Sequence, residues 1–341
     1  MQSRGWTGAC SQALFLAGAL VANGCADDSE GTAASGGMGG GGGGGGGGSS
    51  LQAEYPLSGA DLFPEGAAFD PDSQSFFVGS LAHGTVTRVT ASGEESLFYA
   101  GETGTPRATL GLEIDVERRR LWACAIEPET LAGWIWVFSL DMGERTHEVE
   151  LEGVFGGASC NDVALDAAGR AYVTDRENPN VYLIDVDAPE SRIWATGPLL
   201  GAGVGLNGIA ITADGSAALA NTYLPPRLVR ISMADPSILT EVTLTGDPFV
   251  GTGTLAGADG STLLESTLYV TFPNEVMRLV PTDADWMAAT VQSAPAGPGL
   301  AALTVANGDI YATNGQSVAF VTNQPPEPFM IKKIDLASFE E

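Results

Sequence analysis

Basic residues are scarce in this chain: 15 Lys and Arg stand against 42 Asp and Glu, a formal charge of −27 at pH 7. So acidic a chain repels phosphate backbones, which argues against any nucleic-acid partner. The same acidity suits cations such as calcium, which prefers carboxylate and carbonyl oxygen. Histidine occurs only twice, as His83 in an Ala-His-Gly turn and as His147 near an expected outer strand. That leaves no His-rich metal spacing, and no Gly-x-Ser-x-Gly elbow is followed by a suitable histidine. No run of eighteen apolar residues occurs beyond the N-terminus, so no transmembrane domain is expected. Long amphipathic helix patterns are also missing, which leaves an all-β chain.

The first fifty residues cannot join a core. Arg4 followed by the apolar stretch from Ala13 to Ala22 reads as an export signal, too short to span a bilayer. Asn23-Gly24-Cys25 looks like a lipoprotein cleavage site with Cys25 as the acylated residue, plain signal cleavage being the alternative. Residues 26–50, with glycine unbroken from Gly39 to Gly48, form an entropic tether that buries nothing. The expectation is an exported monomer in the cell envelope, facing the periplasm or cell surface. It would touch the membrane through a lipid anchor only.

Residues 51–341 carry an internal repeat. The clearest copies are NDVALDAAGRAYVTD (Asn161–Asp175) and NGIAITADGSAALAN (Asn207–Asn221). Others are EGAAFDPDSQSFFVGS from Glu65, GLEIDVERRRLWAC from Gly111 and LAALTVANGDIYATN from Leu300. A degenerate fifth copy runs from Gly251 to Phe272. The units start roughly 45 to 51 residues apart, the period of a four-stranded propeller blade. Six units predict a six-bladed β-propeller. The last unit stops near Asp335 after its third strand, so the segment Leu51–Leu57 is expected to supply the missing outer strand and close the ring.

In a propeller, the opening residues of the units converge on the axial mouth. Here they read Glu65, Leu110, Asn161, Asn207, approximately Thr252, and Leu300. One carboxylate and two amide oxygens suit a hard cation, which makes Glu65, Asn161 and Asn207 candidate metal ligands. Each taken alone could equally be a turn residue. Asp175 and Asn221, ending second strands, are candidates with Asn161 for lining a substrate pocket. Cys124 and Cys160 fall at the same face of neighbouring blades, where either a disulfide or two buried thiols would fit.

The Pro-Glu-Gly start, the NDVALDAAGRAYVTD run and the NGIAITADG run resemble the senescence-marker-protein/gluconolactonase/luciferin-regenerating-enzyme-like family, and more distantly paraoxonase-type propellers. The resemblance spans about Leu51 to Leu336. It implies six blades, one divalent cation, often calcium, in the tunnel, and lactone or ester hydrolysis. Carried over, Glu65 and Asn207 would hold the cation, and Asn161 would hold it or contact substrate. Two departures stand out. The Asp-Gly pair that usually opens the fifth unit is replaced by Gly251-Thr252-Gly253, and Ser159 stands where an arginine often precedes the first Asn. Two functional classes therefore remain: a metal-dependent hydrolase of a lactone or ester, and a non-catalytic propeller that binds a small molecule or a protein.

Overall fold

Strands of three to eight residues, rich in β-branched and aromatic side chains, recur between Gly, Asn and Asp turns through the chain. In the computed structural model, residues 51–339 are described, apart from 103, 105–106, 152–156, 189, 202–204 and 253–255. The signal-like segment, Cys25 and the glycine tether lie outside the described residues.

The strands form six sheets arranged as the blades of a propeller. Blade 1 comprises Pro64–Asp70, Ser75–Ser80, Val86–Thr90 and Glu95–Tyr99, from the axis outward. Blade 2 starts with Ala108–Asp115, blade 3 with Cys160–Leu165, and blade 4 with Leu206–Ile211. The innermost strands of blades 5 and 6 are Ser261–Leu264 and Leu303–Ala306. Ring closure follows the expected route. Glu54–Pro56 pairs antiparallel with Met330–Lys333 as the outer strand of blade 6. Tyr55, 1% exposed, anchors it by packing on Phe76 of blade 1 and Tyr311 of blade 6, ring centroids 5.2 and 6.3 Å away. Burying such a ring contributes about 2–3 kcal/mol, enough to hold a three-residue strand in place.

One outer strand departs from the sequence reading. The run Glu241-Val242-Thr243-Leu244 does not finish blade 4 as a unit. Leu239–Glu241 stays in blade 4, while Thr243–Gly246 crosses to blade 5 and runs parallel to Ala288–Pro295 as a fifth strand. The chain thus joins blade 5 at its outer edge before its innermost strand there, Ser261–Leu264. That detour is why the fifth repeat is degenerate. Among the described residues one short α-helix, Ser317–Thr322, stands between the second and third strands of blade 6.

Candidate functional site at the axial mouth

The ladder between the two inner strands slips at the same place in blades 1 to 4. The shifts fall between Pro64 and Ala67, Thr109 and Leu112, Cys160 and Val163, and Leu206 and Ile209. Each slip is a bulge of two residues, and a bulge re-aims side chains out of the ladder. The first bulge residue, two positions before the resumed ladder, is Glu65, Leu110, Asn161 and Asn207 in turn. Counting back equally from the pairs Ser261↔Val270 and Leu303↔Ala312 gives Asp259 and Ala301 for blades 5 and 6. The second bulge residue packs against the next blade and is Gly or Ala in every blade but the third, where it is Asp162. A Cβ on Gly66 would lie 2.0 Å from the Leu110 carbonyl oxygen, and one on Gly208 would lie 2.4 Å from Ser261 Oγ.

Four of the six bulges are also stapled by a side-chain hydrogen bond from the preceding blade. Thr174 Oγ1 donates to the Asn207 carbonyl (2.7 Å), Thr271 Oγ1 to that of Ala301 (2.5 Å), and Thr313 Oγ1 to that of Glu65 (3.1 Å). Asn221 occupies the same register in blade 4 and donates its amide to the carbonyls of Asp259 (2.8 Å) and Ala258 (3.0 Å). In blade 2 that register is Cys124, which is disulfide-bonded to Cys160, Cα–Cα 5.8 Å. The bridge replaces the staple between blades 2 and 3.

The fifth unit therefore corrects the sequence reading. Its opening residue is Asp259, followed by Gly260, not Thr252. The aspartate described as missing is present, seven residues further along, because the crossing strand lengthens the approach. Likewise the sixth opening residue is Ala301, one place beyond Leu300.

Glu65, Asn161, Asn207 and Asp259 meet at the axis and line two cavities. On the mouth side lies a space of about 30 Å³ bounded by Arg176, Leu81, Leu110, Leu206 and Phe320. On the other side a channel of about 450 Å³ runs down the axis past Asp162, Glu113, Thr262 and Thr304. Asn161 and Asn207 are 8% and 6% exposed, Asp259 6% and Glu65 9%. Glu65 Oε2 is buried with no hydrogen-bond partner. The Asn207 side chain hydrogen-bonds the Asp259 carboxylate.

Burial dominates the electrostatics of the axis. It raises the Glu65 carboxyl well above the usual range, reinforced by Asp259 and Asp162 and opposed by Arg176. Asp259 is pushed up to about 7 by burial, against its hydrogen bond from Asn207 and the charge of Arg176. Asp162 also rises to about 7 by burial, although the N–H groups of Val163 and Ile209 donate to it at 2.9 and 3.1 Å. Burial, and then the charge of Asp162, pushes Glu113 up to about 8. Protons or cations must occupy this axis, because several carboxylates cannot ionise together in so little water.

Two of the proposed pocket residues lie elsewhere. Asp175 is fully buried and accepts hydrogen bonds from Tyr182 OH (2.5 Å), Asn178 Nδ2 (2.9 Å) and the Glu177 N–H (2.9 Å). It organises the end of blade 3 and faces neither cavity. Asn221, 0% exposed, supports the backbone of Asp259 as described above. Sequence reasoning missed Asp259, Asp162, Glu113 and Arg176. Arg176 is 5% exposed, pairs with Glu177 (3.4 Å), and its charge is felt by Glu65 and Asp259. Its N–H donates to the Ser159 carbonyl at 2.9 Å, so a guanidinium reaches the mouth from the strand beside Ser159.

The donor set fits a hard divalent cation: two carboxylates, two amides, and an orphaned buried carboxylate oxygen. Among the described residues no three His, Cys, Asp or Glu side chains form a metal-ligand group, so the amides are essential to any such site.

No protein-family model matches the chain, and no curated protein matches it in sequence. Solved structures do. The major allergen Mala s 1 of Malassezia sympodialis aligns at TM-score 0.68 and 17% identity, covering 86% of this chain and 98% of the allergen. A gluconolactonase from Xanthomonas campestris aligns at 0.58 and 15%, covering 82% and 89%. The calcium-binding protein regucalcin from Agrobacterium tumefaciens aligns at 0.57 and 16%, covering 82% and 92%. At these identities the likeness shows the fold: this chain is a six-bladed β-propeller of the shape shared by regucalcin and gluconolactonase.

Proposed function

We propose that this protein is a metal-assisted hydrolase of a lactone or related ester. The convergence of Glu65, Asn161, Asn207 and Asp259 on one axial point supports this reading. Asp259-Gly260 supplies the fifth-unit pair that the family resemblance calls for, which removes the main argument for a degenerate site. Glu65, Asn207 and Asp259 would hold the cation, with Asn161 as a further ligand or as a donor to the substrate carbonyl. When bound, a cation of this kind polarises a carbonyl and stabilises the oxyanion. The chain's own contribution is to keep water scarce around the mouth and to hold Asp259 against Asn207. There the Asp259 carboxylate can accept the proton of an attacking water. Export and lipid anchoring through Cys25 would place this activity in the cell envelope.

A second reading, a ligand-binding propeller without chemistry, draws support from Arg176. Its fixed positive charge beside Glu65 and Asp259 competes with a cation for the same carboxylates. The two readings separate in one experiment: hydrolysis of a panel of γ- and δ-lactones by the purified full chain, with calcium and with chelator. The hydrolase reading predicts turnover that chelator abolishes, and that Asp259→Asn abolishes while the protein stays folded. No turnover with any lactone, in protein that binds no calcium, would favour the binding propeller.

A further inference from the structure

The mouth and the opposite face of the propeller are unequal. On the mouth side, the four convergent side chains look into about 30 Å³, room for one or two waters. That space is bordered by Arg176, Leu81, Leu110, Leu206 and the helix Ser317–Thr322, whose Phe320 packs on Phe63 at 4.9 Å. On the other side, the same four residues top the channel of about 450 Å³, within the range of small-molecule sites. The channel's lower lining includes Pro71, Val116 and Asn307. These residues lie in the turns that join the first and second strands of blades 1, 2 and 6, at the face opposite the mouth.

We propose that the ligand reaches the axial cluster from this turn face, and that the channel admits small uncharged hydrogen-bonding molecules while keeping anions out. Size, lining and charge support it together. Hydroxyls of Ser261, Thr262 and Thr304 and amides of Asn161 and Asn207 line the walls. Ser261 Oγ is buried with no partner of its own. Glu113 and Asp162 are half-buried, meeting solvent through the channel. The Arg176 guanidinium borders the mouth-side space and not the channel. Among the described residues no Lys, Arg or His lines the channel, so an anion entering it gives up water and meets no counter-charge, a cost that changes the arrival of charged molecules by about tenfold or more. The inference concerns the route to the proposed site and rests on that reading only for what the route serves.

Thiol labelling reads the route without any enzymatic assay. In the full chain carrying Cys10→Ser and Cys25→Ser, Cys124 and Cys160 are bonded to each other, so Thr304→Cys places one free thiol in the channel. Its reaction is followed with neutral methyl methanethiosulfonate and with the anionic sulfonatoethyl reagent, Ser92→Cys on an exposed turn serving as reference. The expected neutral-to-anionic rate ratio at Thr304→Cys exceeds that at Ser92→Cys by about tenfold or more. Adding Val116→Trp, at a site already 37% exposed, should slow channel labelling about tenfold, while Val116→Ser should not. Phe320→Ala, which opens the mouth side, should leave the rate within about twofold. The route is refuted if Phe320→Ala accelerates labelling and Val116→Trp leaves it unchanged. Equal rate ratios at the two thiols refute anion exclusion. Absence of lactone hydrolysis would bear on the proposed function and leave the labelling result standing.

Discussion

Glu113 offers the sharpest test of the buried acid axis, because its amide counterpart removes the charge while keeping the shape. Its folded carboxyl sits at about 8 against an ordinary 4.5, with burial the largest cause and Asp162 the second. A folded pKa above the unfolded one means the stabilising form is the protonated one. Its advantage is full below the unfolded pKa and is lost as pH climbs towards 8. Three and a half units correspond to about 5 kcal/mol at most. Water in the channel screens the half-buried group, which brings the expected effect to about 2 kcal/mol. Glu113→Gln should therefore match the parent protein near pH 5 and exceed it by about 2 kcal/mol at pH 9. The assay is urea unfolding at a series of pH values in chelator. A stability difference that stays constant with pH would refute the reasoning, as would a variant that loses stability at pH 9.

Replacing both Cys124 and Cys160 with serine opens a loop of 36 residues. By chain entropy it should cost about 4 kcal/mol in unfolding free energy, read from denaturation without reductant. Arg119 holds the buried Asp70 carboxylate through two hydrogen bonds of 2.7 and 3.0 Å and keeps its pKa below the usual value despite burial. Arg119→Ala should cost about 2–3 kcal/mol at pH 7, less than for a fully enclosed pair because Arg119 is 27% exposed. Asp70's folded pKa is lowered, so that stability is present above the unfolded pKa and lost on acidification. Parent and variant should therefore converge as the pH falls through and below the ordinary carboxylate range in the same urea series.

Blade count and ring closure were legible because the repeat is periodic and the final unit is visibly one strand short. Glu65, Asn161 and Asn207 were legible because polar residues recurred at one phase. Asp259 was not: Thr243–Gly246 leaves blade 4 for the edge of blade 5, and the added length breaks the count. The available signal was the Asp-Gly pair itself, matching Glu65-Gly66 and Asn207-Gly208 in type. Glu113 and Asp162 were hidden for another reason. Alternation along a strand does not say which of its residues faces the axis once a bulge has shifted the pattern by one. Asp175 and Asn221 were misassigned because a polar residue ending an inner strand can turn to the cavity or into its own sheet. Only the neighbouring carbonyls and hydroxyls decide which.

Calcium titration of the chelated full chain by calorimetry tests the axial cluster most directly. The cluster as described predicts one calcium per chain at the axis in the parent protein. Glu65→Gln and Asp259→Asn should each weaken that binding by at least about tenfold, the loss of one charged ligand. Parent-like affinity in both variants, or no binding by the parent protein, would contradict the assignment.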